Sequence, residues 1–360
     1  MTIDVHIENR TPFDVKPAVV LDADGREVLL MLLSASFDIS PDGTLAPAAD
    51  PLPVTHADIP RGDPALSSLW HEADIAPVKP RRELILNATA HAPDGRAVTS
   101  LLVGVQAGDI RKLLRVTGDR HRTSVGLGDP EPFNEMPICW ERAFGGTAAD
   151  GDCLAENPVG IGYGGAVSAN PDVTSHAPNI GPGDLAPDAV ADMPAGFGVV
   201  GRGWRPRIRL AGTYDDAWMA DQWPFPPLDM QDAYHMAAPR DQQSDALRAG
   251  MEVTLLNLVP GGGRLRFALP RITAPVRLIR DTSVEEARFQ WDTVIVEPDR
   301  MRVTVKARMP FVTRRGLPKL REVLFGHLSP VFVRSRAVRK AYLNPRGGDG
   351  TLPAPLFEVT

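Results

Sequence analysis

The chain has 360 residues, 43% hydrophobic and 23% charged, with a net charge of −6. That apolar content supplies a core and excludes a disordered chain. The slightly acidic balance excludes a general nucleic-acid binder, which carries a basic footprint.

Prolines (35) and glycines (32) are scattered among apolar runs. Such punctuation predicts short strands joined by turns and long ordered loops. The N-terminal "MTIDVHIENRTPF" has acidic residues and no apolar h-region, so it is not read as a signal peptide. The longest apolar run, Val28 to Leu33, is too short to span a bilayer. A soluble cytoplasmic protein with no membrane partner is expected.

Residues 1–45 read as strands. Ile3, Val5 and Ile7 alternate with polar neighbours, and residues 26–39 form a mostly buried strand after the Asp24-Gly25 turn. Residues 46–82 are rich in Pro and Asp, with one short helical candidate at 64–74. Residues 82–118 give three or four strands, with turns at Pro93-Asp94-Gly95 and Ala107-Gly108-Asp109. Residues 119–203 hold few apolar runs, and Arg142 is the only Lys or Arg between Asp129 and Asp192. A loop region that long is expected to be ordered and functional.

Residues 205–223 read as a strand, a turn and a short helix capped by Asp215 or Asp216. A helix start is predicted over 240–247, then a strand after Gly250. Residues 261–280 and 285–310 are hairpin-rich. There Arg302, Thr304 and Lys306 alternate with Val303, Val305 and Ala307, as in a half-exposed antiparallel sheet. Residues 300–346 are strongly basic, with Glu322 the only acid. The fold class is mainly β with a few short helices (α+β): antiparallel sheets, sandwich- or barrel-like, with long ordered Gly/Pro-rich loops. Two strand-rich blocks, 1–118 and 250–310, flank the loop-rich middle 119–249. They are compatible with one sandwich or with two related halves.

Catalytic motifs are sparse. "GIGYGG" (160–165) matches G-x-G-x-x-G, but Asn157-Pro158 precedes it and Pro171 follows, where a cofactor cradle needs a strand and then a helix. The histidines are scattered, and Cys139 and Cys153 lack Cys-x-x-Cys partners, so no metal or cofactor is expected. The two cysteines read as reduced thiols. Trp204, Trp218 and Trp223 lie near Asp215 and Asp216, which gives the alternative of a carbohydrate- or peptidoglycan-active hydrolase. "CWERAFGG" (139–146) has the ingredients of a rigid loop without a reactive group: an anchoring Trp140, glycines that allow close backbone approach, and Glu141 and Arg142 on opposite faces if extended.

Several phrases together are specific: "NRTPFDV" (9–15), "SASFDI" (34–39), "KPRRELILNATAHAPDG" (79–95), "CWERAFGG", "NPVGIGY" (157–163), "AGTYDDAW" (211–218), "APRDQQ" (238–243) and "DTVIVEPDRMRVTVKARM" (292–309). In their order and spacing the chain resembles the effector-loading adaptors, or chaperones, of bacterial type VI secretion systems, first catalogued as a domain of unknown function. Cys139 stands where that family usually has proline, and the tail after Pro310 matches least. The resemblance implies an adaptor domain over 1–310 with a basic extension over 311–360. It also implies a non-catalytic cytoplasmic role, with an effector protein and a spike or spike-tip protein as partners. Interface energy concentrates in Trp, Tyr and Arg. The candidate contact residues are therefore Trp140, Arg142, Tyr163, Trp204, Trp218 and Trp223, with Arg334, Arg336, Arg339 and Lys340 in the basic tail.

Overall fold

A computed structural model describes residues 5–281, 283–312, 319–344 and 347–359. Ile3 and parts of the basic tail (313–318, 345–346) lie outside the described residues.

The strands that carry the architecture are β1 (His6–Asn9), β2 (Asp14–Leu21), β3 (Glu27–Ile39), β4 (Arg82–Leu86), β5 (Ser100–Ala107), β6 (Ile110–Thr117), β7 (Ile180–Pro182) and β8 (Gln243–Ser244). They continue with β9 (Glu252–Leu256), β10 (Arg264–Ala268), β11 (Val276–Arg280), β12 (Val284–Ala287), β13 (Gln290–Glu297), β14 (Arg302–Val312) and β15 (Leu320–Phe325). The helices are α1 (Asp216–Asp221) and α2 (Pro330–Ala337).

A seven-stranded sheet runs β8-β4-β13-β14-β3-β2, with a short strand at Leu45–Pro47 on β3. Only β4 and β13 pair in parallel within it. A five-stranded antiparallel sheet runs β7-β6-β5-β9-β10. Met31, Leu33 and Phe37 of the first sheet and Val103, Val105, Val253 and Leu265 of the second belong to one apolar core. The protein is thus mainly β and sandwich-like, and no sheet among the described residues closes into a barrel. The two strand-rich blocks are interleaved in one sandwich, since β3 pairs with β14 and β5 with β9.

β3 is buried on both faces, which is why its sequence reads as a nearly continuous apolar run. On β14 the alternation holds, but its polar face is not half-exposed. Arg302, Thr304, Lys306 and Arg308 are all buried, beneath the 46–82 segment. That segment comes down over the sheet because its backbone meets the charges: Lys306 Nζ donates to the Pro53 carbonyl (2.9 Å) and Arg308 to the Ala76 carbonyl (3.0 Å).

Three local expectations give way. Residues 64–74 form a turn and a short strand (Leu69–His71), because Asp63 and Ser67 bond the nearby backbone in non-helical fashion. Residues 240–247 are a 3-10 turn followed by β8. The buried Gln242 amide draws the chain to the sheet by donating to Leu84 O (2.6 Å) and Phe197 O (2.9 Å). Instead of a strand, Arg207–Leu210 is a 3-10 turn, with Arg207 buried and donating to Tyr234 O and Val200 O.

The tail enters the fold. β15 lies between β1, its parallel neighbour, and β11 in a four-stranded sheet, with Val323 and Phe325 in the main core. Ser329 caps α2 by accepting from Phe332 N (3.2 Å), and Phe332 and Val333 pack against Ile279 and Leu324.

Candidate functional site

The residues that draw most notice in the sequence form a buried clasp. Trp140–Arg142 is one 3-10 turn rather than a strand, closed by Ala143 N donating to Trp140 O (3.1 Å). Trp140 is 7% exposed; its Nε1 donates to Val199 O (2.8 Å) and its ring meets Trp204 edge-on at 5.9 Å. Glu141, fully buried, accepts from Ser68 N (2.8 Å) and Ser68 Oγ (2.9 Å). Arg142 is also buried. It pairs with Asp119 (3.0 Å) and donates to Asn179 Oδ1 (3.0 Å) and Asp172 O (2.9 Å). Burial works against the Asp119 carboxylate, but the Thr174 hydrogen bond and the Arg142 charge outweigh it and hold its pKa below the ordinary value.

"NPVGIGY" packs onto this turn. Asn157 Nδ2 donates to Trp140 O (2.9 Å) and Phe144 O (3.0 Å), and Phe144–Gly145 pairs in parallel with Ile161–Gly162. Gly146 has φ +101°, and a Cβ there would stand 2.4 Å from Gly160 O, so only glycine fits. Gly160–Gly165 is therefore half of this clasp, and a short turn at Tyr163–Gly165 follows where a cofactor cradle needs a helix. Tyr163 is pinned by its hydroxyl donating to Asp152 (2.6 Å) and by an edge contact with Phe144. Cys139 and Cys153 are free thiols; burial, with help from Glu141, pushes the Cys139 thiol up to about 12, away from reactivity.

A second interior cluster sits on the polar face of the seven-stranded sheet. Across the strands Ser34 faces Lys306, Lys306 faces Thr293, and Thr293 faces Glu83. Lys306 pairs with Asp74 (2.7 Å), Arg308 with Asp292 (2.6 Å), Arg302 with Glu297 (2.7 Å) and Lys79 with Glu83. The other Glu83 oxygen accepts from Ala237 N (2.7 Å) and Ala238 N (2.8 Å). These charges hold loops on the sheet. Among the described residues no group of three or more His, Cys, Asp or Glu is placed to hold a metal.

Residues 208–230 are different in kind. Asp215 caps α1 by accepting from Trp218 N (2.9 Å), as its position predicts. Asp229 closes the loop by accepting from Thr213 N (3.0 Å) and Thr213 Oγ1 (2.7 Å). Trp218 is half-buried, donating to Phe225 O (3.0 Å) and meeting the Tyr214 ring edge-on at 4.7 Å. Gln222 donates to Ala23 O (2.7 Å), and the Phe225 ring lies against Gly25, so the excursion is fastened to the β2–β3 turn. Outward it leaves Tyr214, Met219, Trp223 (62% exposed) and Leu228 (75% exposed) in solvent. Single exposed apolar residues are ordinary; four large ones on one short anchored excursion are not.

In the tail, Arg336 pairs with Glu322 (2.8 Å) and Arg339 with Asp281 (3.3 Å), while Arg334 and Lys340 are exposed. Of the sequence-predicted contact residues, Trp140 and Arg142 are interior, Tyr163, Trp204 and Trp218 are half-buried and locally bonded, and Trp223 and Arg334 are free to meet a partner.

One surface escaped sequence reasoning: the outer face of the five-stranded sheet, a shallow groove of about 770 Å3. Arg111, Arg248, Arg264 and Arg266 line it against one carboxylate, Glu252. The alternation in "RLRFA" places Arg264 and Arg266 outward; the register that adds Arg111 is not visible from local pattern.

Residues 24–308 match a family described as "Uncharacterized protein conserved in bacteria (DUF2169)". The chain belongs to this family. The DUF2169 match runs from the β2–β3 turn into β14, leaving β2 outside it, with the clasp, the ionic layer and the excursion inside it. No curated protein and no solved structure matches the chain. Among the described residues no helix is long and apolar enough to cross a membrane.

Proposed function

We propose that this DUF2169 protein is a non-catalytic cytoplasmic adaptor that binds a type VI secretion effector and loads it onto the spike complex. The observation that carries the binding role is the anchored excursion with Tyr214, Met219, Trp223 and Leu228 in solvent. An aromatic residue on a fixed support loses little freedom on binding and buries a large area, the property of an interface anchor. The motif-bearing charges are engaged internally, in the clasp and the ionic layer, where they serve rigidity. The secretion setting rests on the phrases "CWERAFGG", "NPVGIGY" and "DTVIVEPDRMRVTVKARM", which resemble the effector-loading adaptors.

The test is co-purification of the tagged protein with the products of adjacent effector and spike genes. A stoichiometric complex that forms with the native protein and is lost in the Trp223→Ala/Met219→Ser variant is the expected result. No complex with either product, or turnover of a polysaccharide by the purified protein, would overturn the reading.

A further inference from the structure

The outer face of the five-stranded sheet has a charge pattern that selects its occupant. Cross-strand register runs Arg111 to Gln106, Gln106 to Thr254 and Thr254 to Arg266, so these four side chains form one row. The next row is Leu113, Gly104, Leu256 and Arg264. Gly104 is needed there: a Cβ would stand 2.4 Å from Leu113 Cδ2, so the glycine lets Leu113 lie across the sheet. The result is an apolar floor beside a row with a cation at each end.

Among the described residues Arg111, Arg248, Arg264 and Arg266 have no ion-pair partner, whereas Arg302, Arg308 and Arg142 are paired in the interior. Four free guanidiniums against Glu252 make a cationic face on a chain of net charge −6. Guanidinium groups recognise carboxylates in a bidentate manner.

We infer that this face binds an extended segment of a partner protein in which two carboxylates four residues apart flank an apolar residue. The spacing follows from strand geometry. Arg111 and Arg266 lie three strand separations apart, about 14 Å, and an extended chain covers about that distance in four residues with side chains i, i+2 and i+4 on one side. Carboxylates at i and i+4 then reach Arg111 and Arg266, and the residue at i+2 lies above Gln106 and Thr254, against Leu113 and Leu256 of the neighbouring row. A nucleic acid is disfavoured by the overall negative charge and by the apolar floor. The inference rests on the binding role proposed above and adds the chemistry of the partner.

The experiment uses the full chain and fluorescein-labelled synthetic peptides read by fluorescence anisotropy. The probe has the core Glu-Ser-Leu-Ser-Glu. Its controls are Lys-Ser-Leu-Ser-Lys, the rearranged Glu-Glu-Leu-Ser-Ser and a single-stranded oligonucleotide. The probe is expected to bind, to weaken about tenfold between about 50 mM and about 500 mM salt, and to outbind each control. Arg111→Glu/Arg266→Glu should abolish binding, and the milder Arg111→Gln/Arg266→Gln should weaken it about tenfold, both with native melting curves. No binding of the probe, equal binding by the charge-reversed variant, tighter binding of the oligonucleotide, or salt-sensitive self-association through this face in sedimentation would each overturn the inference. Co-purification separates it from the adaptor reading. If the charge-reversed variant retains a client that the native protein binds, the adaptor stands and this face is not its contact. If the native protein binds no client, the adaptor reading itself fails.

Discussion

The two faces of the seven-stranded sheet are both buried, one wholly in the main apolar core and the other by ionic groups set between two small apolar clusters, around Leu30 and Leu32 and around Ile85 and Ile295. One presents Met31, Leu33, Phe37, Val303 and Leu84 to the apolar core. The other presents Ser34, Ser36, Arg302, Thr304, Lys306 and Glu83 to the covering loops. Apolar burial is non-directional and tolerates any neighbour of suitable shape. Ion pairs and hydrogen bonds are directional, so the charged face accepts only the loop path that brings Asp74, Pro53 O and the Ala237 and Ala238 amides to fixed points. The apolar face stabilises the sandwich; the charged face determines where its loops lie.

Substitution on each face separates the two roles. Asp74→Ala leaves Lys306 buried without its carboxylate and should cost about 3–5 kcal/mol in denaturant unfolding. Phe37→Ala on the apolar face should cost a similar 3–5 kcal/mol, roughly, through the cavity it leaves. The faces then diverge. Asp74→Leu with Lys306→Met removes both ions and should recover the part of the loss due to the unpaired Lys306, leaving roughly 1–3 kcal/mol because Thr55 N and Thr55 Oγ1 lose the carboxylate they donate to. A double variant as unstable as Asp74→Ala would show that the ions cannot be treated as a separable pair.

Acid should act on the charged face first. Burial, reinforced by the charges of Lys79 and Arg308, holds the His235 imidazole down to about 4. The unfolded chain takes up that proton near the ordinary histidine value, so between the two the unfolded state binds more protons and stability falls as pH drops. The loss should be about 2–3 kcal/mol from pH 7 to pH 4. His235→Gln should flatten that part of the profile. Further loss, setting in as pH falls through the ordinary carboxylate range, comes from Glu297: burial opposes its charge, but His71 and Arg302 hold its carboxyl below the usual value, so the stability it contributes is lost as it protonates. Urea unfolding at stepped pH reads both. The smallest stability effect is expected for Trp223→Ala, within about 0.5 kcal/mol of native, since its side chain is mostly in solvent. Client capture by that variant should nevertheless drop sharply; a native level would remove the excursion from the interface.

Strand positions were largely legible because period-two alternation is a local property, as on β14 and β9. The Asp215 cap was legible for the same reason. What covers a strand is not local. Lys306 reads as solvent-facing until Asp74 is brought to it from over two hundred residues away. The Trp140–Arg142 turn reads as a contact surface for the same reason: Ser68, Asp119 and Val199, which enclose it, are distant in the chain. The row from Arg111 to Arg266 needs three strand pairings, β5 with β6, β5 with β9 and β9 with β10, before it exists at all. Rigid clasp and binding surface therefore share a vocabulary of Trp, Arg, Gly and Pro, and only tertiary partners tell them apart.

The parallel pairing of β1 with β15 sets His6 opposite Glu322. During synthesis the first of these strands leaves the ribosome long before the second exists, and its edge waits unpaired while the sandwich assembles beside it. Completion of that sheet waits for residues 320–325 and closes a loop of over three hundred residues. Nascent chains cut short ahead of residue 320 would carry an open edge that invites chaperones or proteases.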